Sequence, residues 1–163
     1  YEAFAGREDP MVRFSGRDLH QFVIAAANDA DTIINQQAAA RRADVNEQLF
    51  VDYFRDMGCK IKTQNELIDE QMIQHGRAVI TPDILFVEPI MINNEVVNWI
   101  DFKDYVGVPI SFMLRSNIKQ YEKYKLHYGD GLICYRLGFV NTILDSLKAI
   151  DCTDIKLPFI VES

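Results

Sequence analysis

Two strand-like runs, Ile80 to Ile92 and Val96 to Phe102, are separated by Asn93-Asn94. Both runs are rich in Ile, Val, Phe and Trp, and asparagine tolerates the positive φ that a two-residue hairpin turn demands. This hairpin constrains the fold more than any other feature. If the turn is strict, residue numbers that pair across it sum to 187. Phe86 then faces Asp101, and Asp83 falls opposite Asp104 on the wrong face for Asp101. A single β-bulge reverses the parity and turns Asp83 to the Asp101 face. Pro89 cannot donate a ladder hydrogen bond, so Glu88-Pro89 is where that bulge is expected.

The remaining elements arrange themselves around this hairpin. Residues 1–16, with Gly6, Pro10 and Gly16, read as an irregular arm. Asp18 to Arg42 has helical periodicity, as one helix or as two broken at Asn28-Asp29 or Asp31-Thr32. Asp44 is placed to cap a further helix, with Glu47 three residues on. Leu49, Phe50, Tyr53, Phe54 and Met57 form its apolar stripe before Gly58. Cys59 to Thr63 reads as a half-buried strand and Asn65 to Gln74 as a short polar helix closed by Gly76. Beyond the hairpin come a helix from Ser111 to Tyr128, a strand from Gly131 to Leu137, a helix near Thr142 to Ala149 and a last strand near Lys156 to Val161. The domains predicted are an arm and helical extension over 1–43 and an α/β domain over 44–163.

The hairpin carries the chemistry. Thr81-Pro82-Asp83 precedes its first strand, and Asp101-Phe102-Lys103 ends its second. Asp101 and Lys103, two apart on a strand, share a face, while Ile100 and Phe102 point into a core. Two carboxylates brought together hold a Mg²⁺ that keeps several waters, and a lysine beside them offsets phosphate charge and orients an attacking water. Trp99 reads as core on the Asp101 side. The plain alternatives are a Pro-Asp turn at Asp83 and an exposed ion pair between Asp101 and Lys103. Asp104 and Glu88 read as solvated, with Glu88 near enough to be a spare ligand.

The order Pro-Asp, then Asp-x-Lys on a following strand, resembles the PD-(D/E)XK nuclease superfamily. His75-Gly76, Thr81 to Leu85, Val97 to Lys103, Gln120 before Tyr121 and Tyr124, and Gly129 to Tyr135 resemble its TPD-motif branch, over roughly Asn46 to Val140. The resemblance implies a restriction-endonuclease-like α/β fold: a central mixed β-sheet flanked by helices in the order αβββαβ, with additional N-terminal helices. It implies a nuclease acting on DNA or RNA with Mg²⁺ or Mn²⁺. Asp83 and Asp101 would be metal ligands, with the Phe102 carbonyl, and Lys103 would assist the water. Glu47 would support the metal, or else close a capping box. Gln120 would stand in the site, or else on a solvated helix face. Where relatives often carry Glu, this chain has Asp101. The resemblance also implies two alternatives, a nuclease-fold binding module with a codanin-like protein partner and a Holliday-junction resolvase-like homodimer.

Arg115, Lys119 and Lys123 are spaced four apart on the later helix and interleave with Tyr121, Tyr124 and Tyr128. That pattern suits a nucleic-acid-binding stripe or a solvated face over core tyrosines. Net charge bears on this choice. The chain has a formal charge of -7, with 9 basic and 16 acidic residues over 1–100 and 8 of each after that. Such acidity excludes a protein that coats nucleic acid by bulk charge, though not an enzyme that recruits cations. Cys59, Cys134 and Cys152 lack zinc-motif spacing. No apolar run is long enough to span a membrane, and no signal pattern opens the chain. The expected location is intracellular, in nucleus or cytoplasm.

Overall fold

A computed structural model describes the backbone of residues 16–152 and the side chains of residues 35–152. The chain divides into two compact units at Arg42/Ala43. In the first, the described residues are helical. They begin α1 (Gly16–Asp56), a 41-residue helix without the expected break at residues 28–32. Asp44 is therefore interior to a helix and does not cap one. The run Gln36 to Arg42 explains this, because Ala, Gln and Arg are strong helix formers and carry the helix through the proposed cap.

The second unit holds β1 (Ile61–Thr63), α2 (Gln64–His75), β2 (Ile84–Ile92), β3 (Glu95–Lys103), α3 (Ser111–Tyr128), β4 (Leu132–Tyr135) and β5 (Ala149–Asp151). The strands form one mixed sheet in the order β1-β2-β3-β4-β5. The β1–β2 and β2–β3 pairs are antiparallel, and β3–β4 and β4–β5 are parallel. The expected helix at Thr142–Ala149 is instead a 3₁₀ turn (Asn141–Asp145) followed by β5. The strand expected near Lys156 to Val161 lies outside the described residues.

One layer packs Phe50, Val51 and Phe54 of α1 against Ile84, Phe86, Ile100 and Phe102. Phe50 and Phe102 stack at 4.8 Å, and Phe54 meets Phe86 edge-on at 5.3 Å. The other layer packs Tyr121 and Tyr124 of α3 around Trp99, Ile133 and Tyr135. The Trp99 indole donates to the Gly129 carbonyl at 2.9 Å. α2 opens with a complete capping box at Thr63 and Glu66 and closes on Gly76, whose φ of 69° is left-handed.

The hairpin turn is the strict two-residue form: Asn93 and Asn94 have φ of 50° and 63°, and Ile92 pairs with Glu95. Ile90 still pairs with Val97, but Leu85 pairs with Trp99 and Ile84 with Ile100. The pairing sum thus drops from 187 to 184 across Phe86 to Pro89, so this is a three-residue shift around Pro89 where a one-residue bulge was expected. Both shifts are odd, so both reverse the parity. Only the larger one sets Asp83 directly beside Asp101, one step beyond the Ile84–Ile100 pair.

Candidate functional site

Asp83 and Asp101 are buried side by side at 6% and 2% exposure. Asp83 Oδ2 accepts from the Phe102 backbone N–H at 2.7 Å. The N–H and C=O of a strand residue point to the same side, so the Phe102 carbonyl is directed toward Asp83 as well. Lys103 Nζ lies 2.5 Å from Asp101 Oδ2 and donates to Gln120 Oε1 at 3.1 Å. The other end of the Gln120 amide donates to Asp101 Oδ1 at 3.3 Å and to the Tyr124 hydroxyl at 2.9 Å. Four of the residues singled out from sequence therefore meet in one cluster.

Glu47, half-buried on α1, faces the same group. Burial raises its carboxyl above the ordinary range, with Asp101 and Asp44 adding to the rise and Lys103 opposing it. Its capping-box role is excluded, because Asp44 is not a helix end. Asp83 is held well above its ordinary value, first by burial and then by Asp101 and Glu47. Burial also raises Asp101, against the pull of Lys103. Burial would lower the Lys103 ammonium, but Asp101 and Asp83 outweigh it and the net shift is upward. Three carboxylates thus share one ammonium.

That imbalance is the environment a divalent cation would neutralise. Asp101 Oδ2 is buried, with the Lys103 ammonium as its close partner. Among the described residues no three His, Cys, Asp or Glu side chains close into a metal cage. The donors on offer, Asp83, Asp101 and the Phe102 carbonyl, form an open set. Such a set suits Mg²⁺, which retains several waters.

Tyr124 was not anticipated as part of this group. Its hydroxyl bridges Gln120 and the Thr81 carbonyl, to which it donates at 3.1 Å. Its position four residues after Gln120, on the same helix face, was the available signal. The segment before Asp83, expected as strand, is irregular chain outside the sheet, and side chains pair its backbone. Gln71 accepts from the Val79 and Ile80 N–H groups at 2.8 and 3.0 Å and donates to the Ile80 carbonyl at 2.6 Å. Tyr128 also donates to Ile80, Gln64 donates to Thr81, and Lys123 donates to the Val79 carbonyl.

Arg115, Lys119 and Lys123 are all exposed on α3 and none joins the cluster. Tyr121 and Tyr124 are core residues, each 5% exposed, and so are not free to stack on bases. Asp104 is not solvated: its side chain is 7% exposed, ion-paired with Arg136 and hydrogen-bonded by Asn46 at 3.2 Å. Glu88 is exposed and paired with Lys60 at 3.0 Å.

Fold and site together define a mixed α/β protein whose sheet buries a carboxylate–lysine–glutamine cluster at the end of its central strand. The chain belongs to the family described as "Protein of unknown function TPD sequence-motif", which matches residues 17–155. It is 32% identical over 96 residues to "Uncharacterized protein L539" of Acanthamoeba polyphaga mimivirus, covering 56% of this chain and 33% of that protein. It is 30% identical over 93 residues to "CDAN1-interacting nuclease 1" of Danio rerio, covering 56% of this chain and 30% of that protein. The matched part therefore spans about a third of these relatives' length. No solved structure matches the chain significantly. Among the described residues no helix is long and apolar enough to cross a membrane.

Proposed function

We propose that this protein is a metal-dependent nuclease of the PD-(D/E)XK type, built on a restriction-endonuclease-like core. The observation that carries the reading is the three-residue register shift, which sets Asp83 beside Asp101, itself bound into one network with Lys103 and Gln120. The core order α1-β1-β2-β3-α3-β4, with α2 inserted after β1 and β5 added after β4, and the nuclease name of the Danio rerio relative support it. Asp83, Asp101 and the Phe102 carbonyl would hold Mg²⁺ or Mn²⁺, with Glu47 as a further carboxylate. When bound, such an ion polarises the phosphate and lowers the pKa of its water.

Lys103 stays an ammonium because Asp101 and Asp83 outweigh the effect of burial. It therefore does not accept the water's proton. It donates hydrogen bonds and stabilises the negative charge that grows on the phosphate. Gln120 holds Lys103 through its carbonyl and Asp101 through its amide, which fixes both groups relative to the scissile bond. Burial and the neighbouring carboxylates raise both Glu47 and Asp83 above the ordinary carboxyl range, so a bound cation would be what keeps them ionised.

The second reading is a nuclease-fold module that acts mainly through a protein partner, as the Danio rerio relative's name suggests. One screen separates the readings: cleavage of single-stranded, duplex, flap and junction DNA, and of RNA, with Mg²⁺ and with Mn²⁺. The nuclease reading expects metal-dependent cutting that Asp101→Asn and Lys103→Ala each reduce by about a hundredfold or more. Equal cutting by all three proteins overturns it. Cutting confined to junctions by a dimer selects the resolvase-like homodimer.

A further inference from the structure

A cleft of the second unit is walled by chain from either side of Asp83, Ile80 and Leu85, and none of Asp83, Asp101, Lys103 or Gln120 lines it. It runs between α2 and the last turns of α3, with a volume of about 610 Å³. That is within the roughly 300–1,000 Å³ of clefts that hold small ligands. Its apolar floor includes Leu67, Ile80, Leu85 and Tyr128, and its rim carries His75, Arg77 and His127. The rim's one carboxylate, Glu70, is already neutralised by Lys62 at 2.8 Å. Among the described residues no carboxylate pairs with Arg77, His75 or His127, which leaves the rim a net cationic character in an acidic protein.

The cleft is also tied to the proposed reaction centre by the chain itself. Val79 and Ile80 form part of its wall, and Asp83 lies three residues further on. Three residues of chain reach at most about 10 Å, no more than one to two nucleotides along a single strand. Because side chains of α2 and α3 hold residues 79–81 by their backbone, the spacing between cleft and carboxylates is fixed.

We propose that this cleft is a nucleotide subsite for the strand that flanks the scissile phosphate, with an unpaired base on the apolar floor and its phosphate at Arg77, His75 and His127. The subsite rests on the nuclease reading but is tested apart from it. It selects single-stranded or frayed substrate, since a base in a duplex cannot turn into the cleft. His75, part of the motif preceding Thr81-Pro82-Asp83, thereby gains a role that the carboxylate cluster does not give it.

The test is fluorescence anisotropy of a labelled twelve-residue oligothymidylate bound to the full chain in EDTA, across a salt series. Arg77 is exposed, so Arg77→Gln leaves the fold intact, which far-ultraviolet circular dichroism checks. The subsite predicts that Arg77→Gln weakens binding about fivefold and flattens the salt dependence by about one ion, and that adding His127→Gln weakens it further. Mn²⁺ binding, followed separately by calorimetry, is unchanged in both variants. Oligonucleotide binding that is equal in wild type and variants overturns the subsite, as does a polyglutamate peptide that displaces the oligonucleotide equally well. A wild type that binds Mn²⁺ but no oligonucleotide overturns the subsite alone. A wild type that binds the oligonucleotide but no Mn²⁺ overturns the metal reading and leaves the subsite standing.

Discussion

Tyr124 and Asp83 make the sharpest predictions at the scale of single residues. Burial, then Asp101, pushes the Tyr124 hydroxyl up to about 12, so it stays protonated and can donate to Thr81 at any working pH. Tyr124→Phe keeps the ring against Trp99, 5.2 Å away, and removes only the hydroxyl that orients Gln120. The expected result is a stability loss of about 1 kcal/mol and a fall in kcat of roughly tenfold with KM unchanged. A merely structural tyrosine would lower Tm without that split. Asp83 works the other way. A carboxyl whose folded value is raised costs the folded state nothing at pH below its unfolded value of about 3.9. It destabilises the fold increasingly as pH rises toward the folded value, because the unfolded chain ionises first. Metal-free wild type should therefore lose Tm progressively as pH rises above about 4. Asp83→Asn, which can still accept from the Phe102 N–H, should lose less and melt higher at neutral pH. Thermal melts across that range, in chelator, check both the sign and the variant.

Among the elements, the hairpin decides the site, and the sequence made much of it legible. Asn93-Asn94 marked the turn because its positive φ is a local demand. Pro89 marked the irregularity because its missing N–H is local too. The size of the irregularity was not legible, since shifts of one and three residues satisfy the same parity argument. Other misses share one cause, contacts distant in sequence. Residues 79–81 look like strand, yet Gln64, Gln71, Tyr124 and Tyr128 take up their backbone groups from other elements. Asp104 looks solvated, yet Arg136 of the chain after β4 covers it. Asp44 looks like a cap, yet the alanine-rich run before it propagates the helix. Deleting Pro89 tests the register directly: an even shift turns Asp83 away from Asp101, and Mn²⁺ binding should be lost while circular dichroism is retained. Gly131 tests the packing under the site. A Cβ there would meet the Trp99 indole at 2.3 Å, so Gly131→Ala should cost about 1–3 kcal/mol by urea unfolding.

For the molecule as a whole, the net charge of -7 is partly the cost of the site. Glu47, Asp83 and Asp101 contribute three of its carboxylates, clustered around one lysine, and α3 carries exposed Arg115, Lys119 and Lys123. An acidic protein with one basic helix should bind nucleic acid weakly, more tightly with divalent cation, and with a small salt slope. Lys119→Ala with Lys123→Ala should weaken that binding evenly across sequences, although Lys123 also tethers Val79 and so costs some stability. All of this depends on Asp83 and Asp101 acting as a single cation site. Calorimetric titration of Mn²⁺ into wild type, Asp83→Asn and Asp101→Asn tests that claim most directly. The account predicts saturable binding by the wild type that either substitution abolishes, whereas a wild type that binds no Mn²⁺, or an Asp83→Asn protein that binds it as the wild type does, would contradict it.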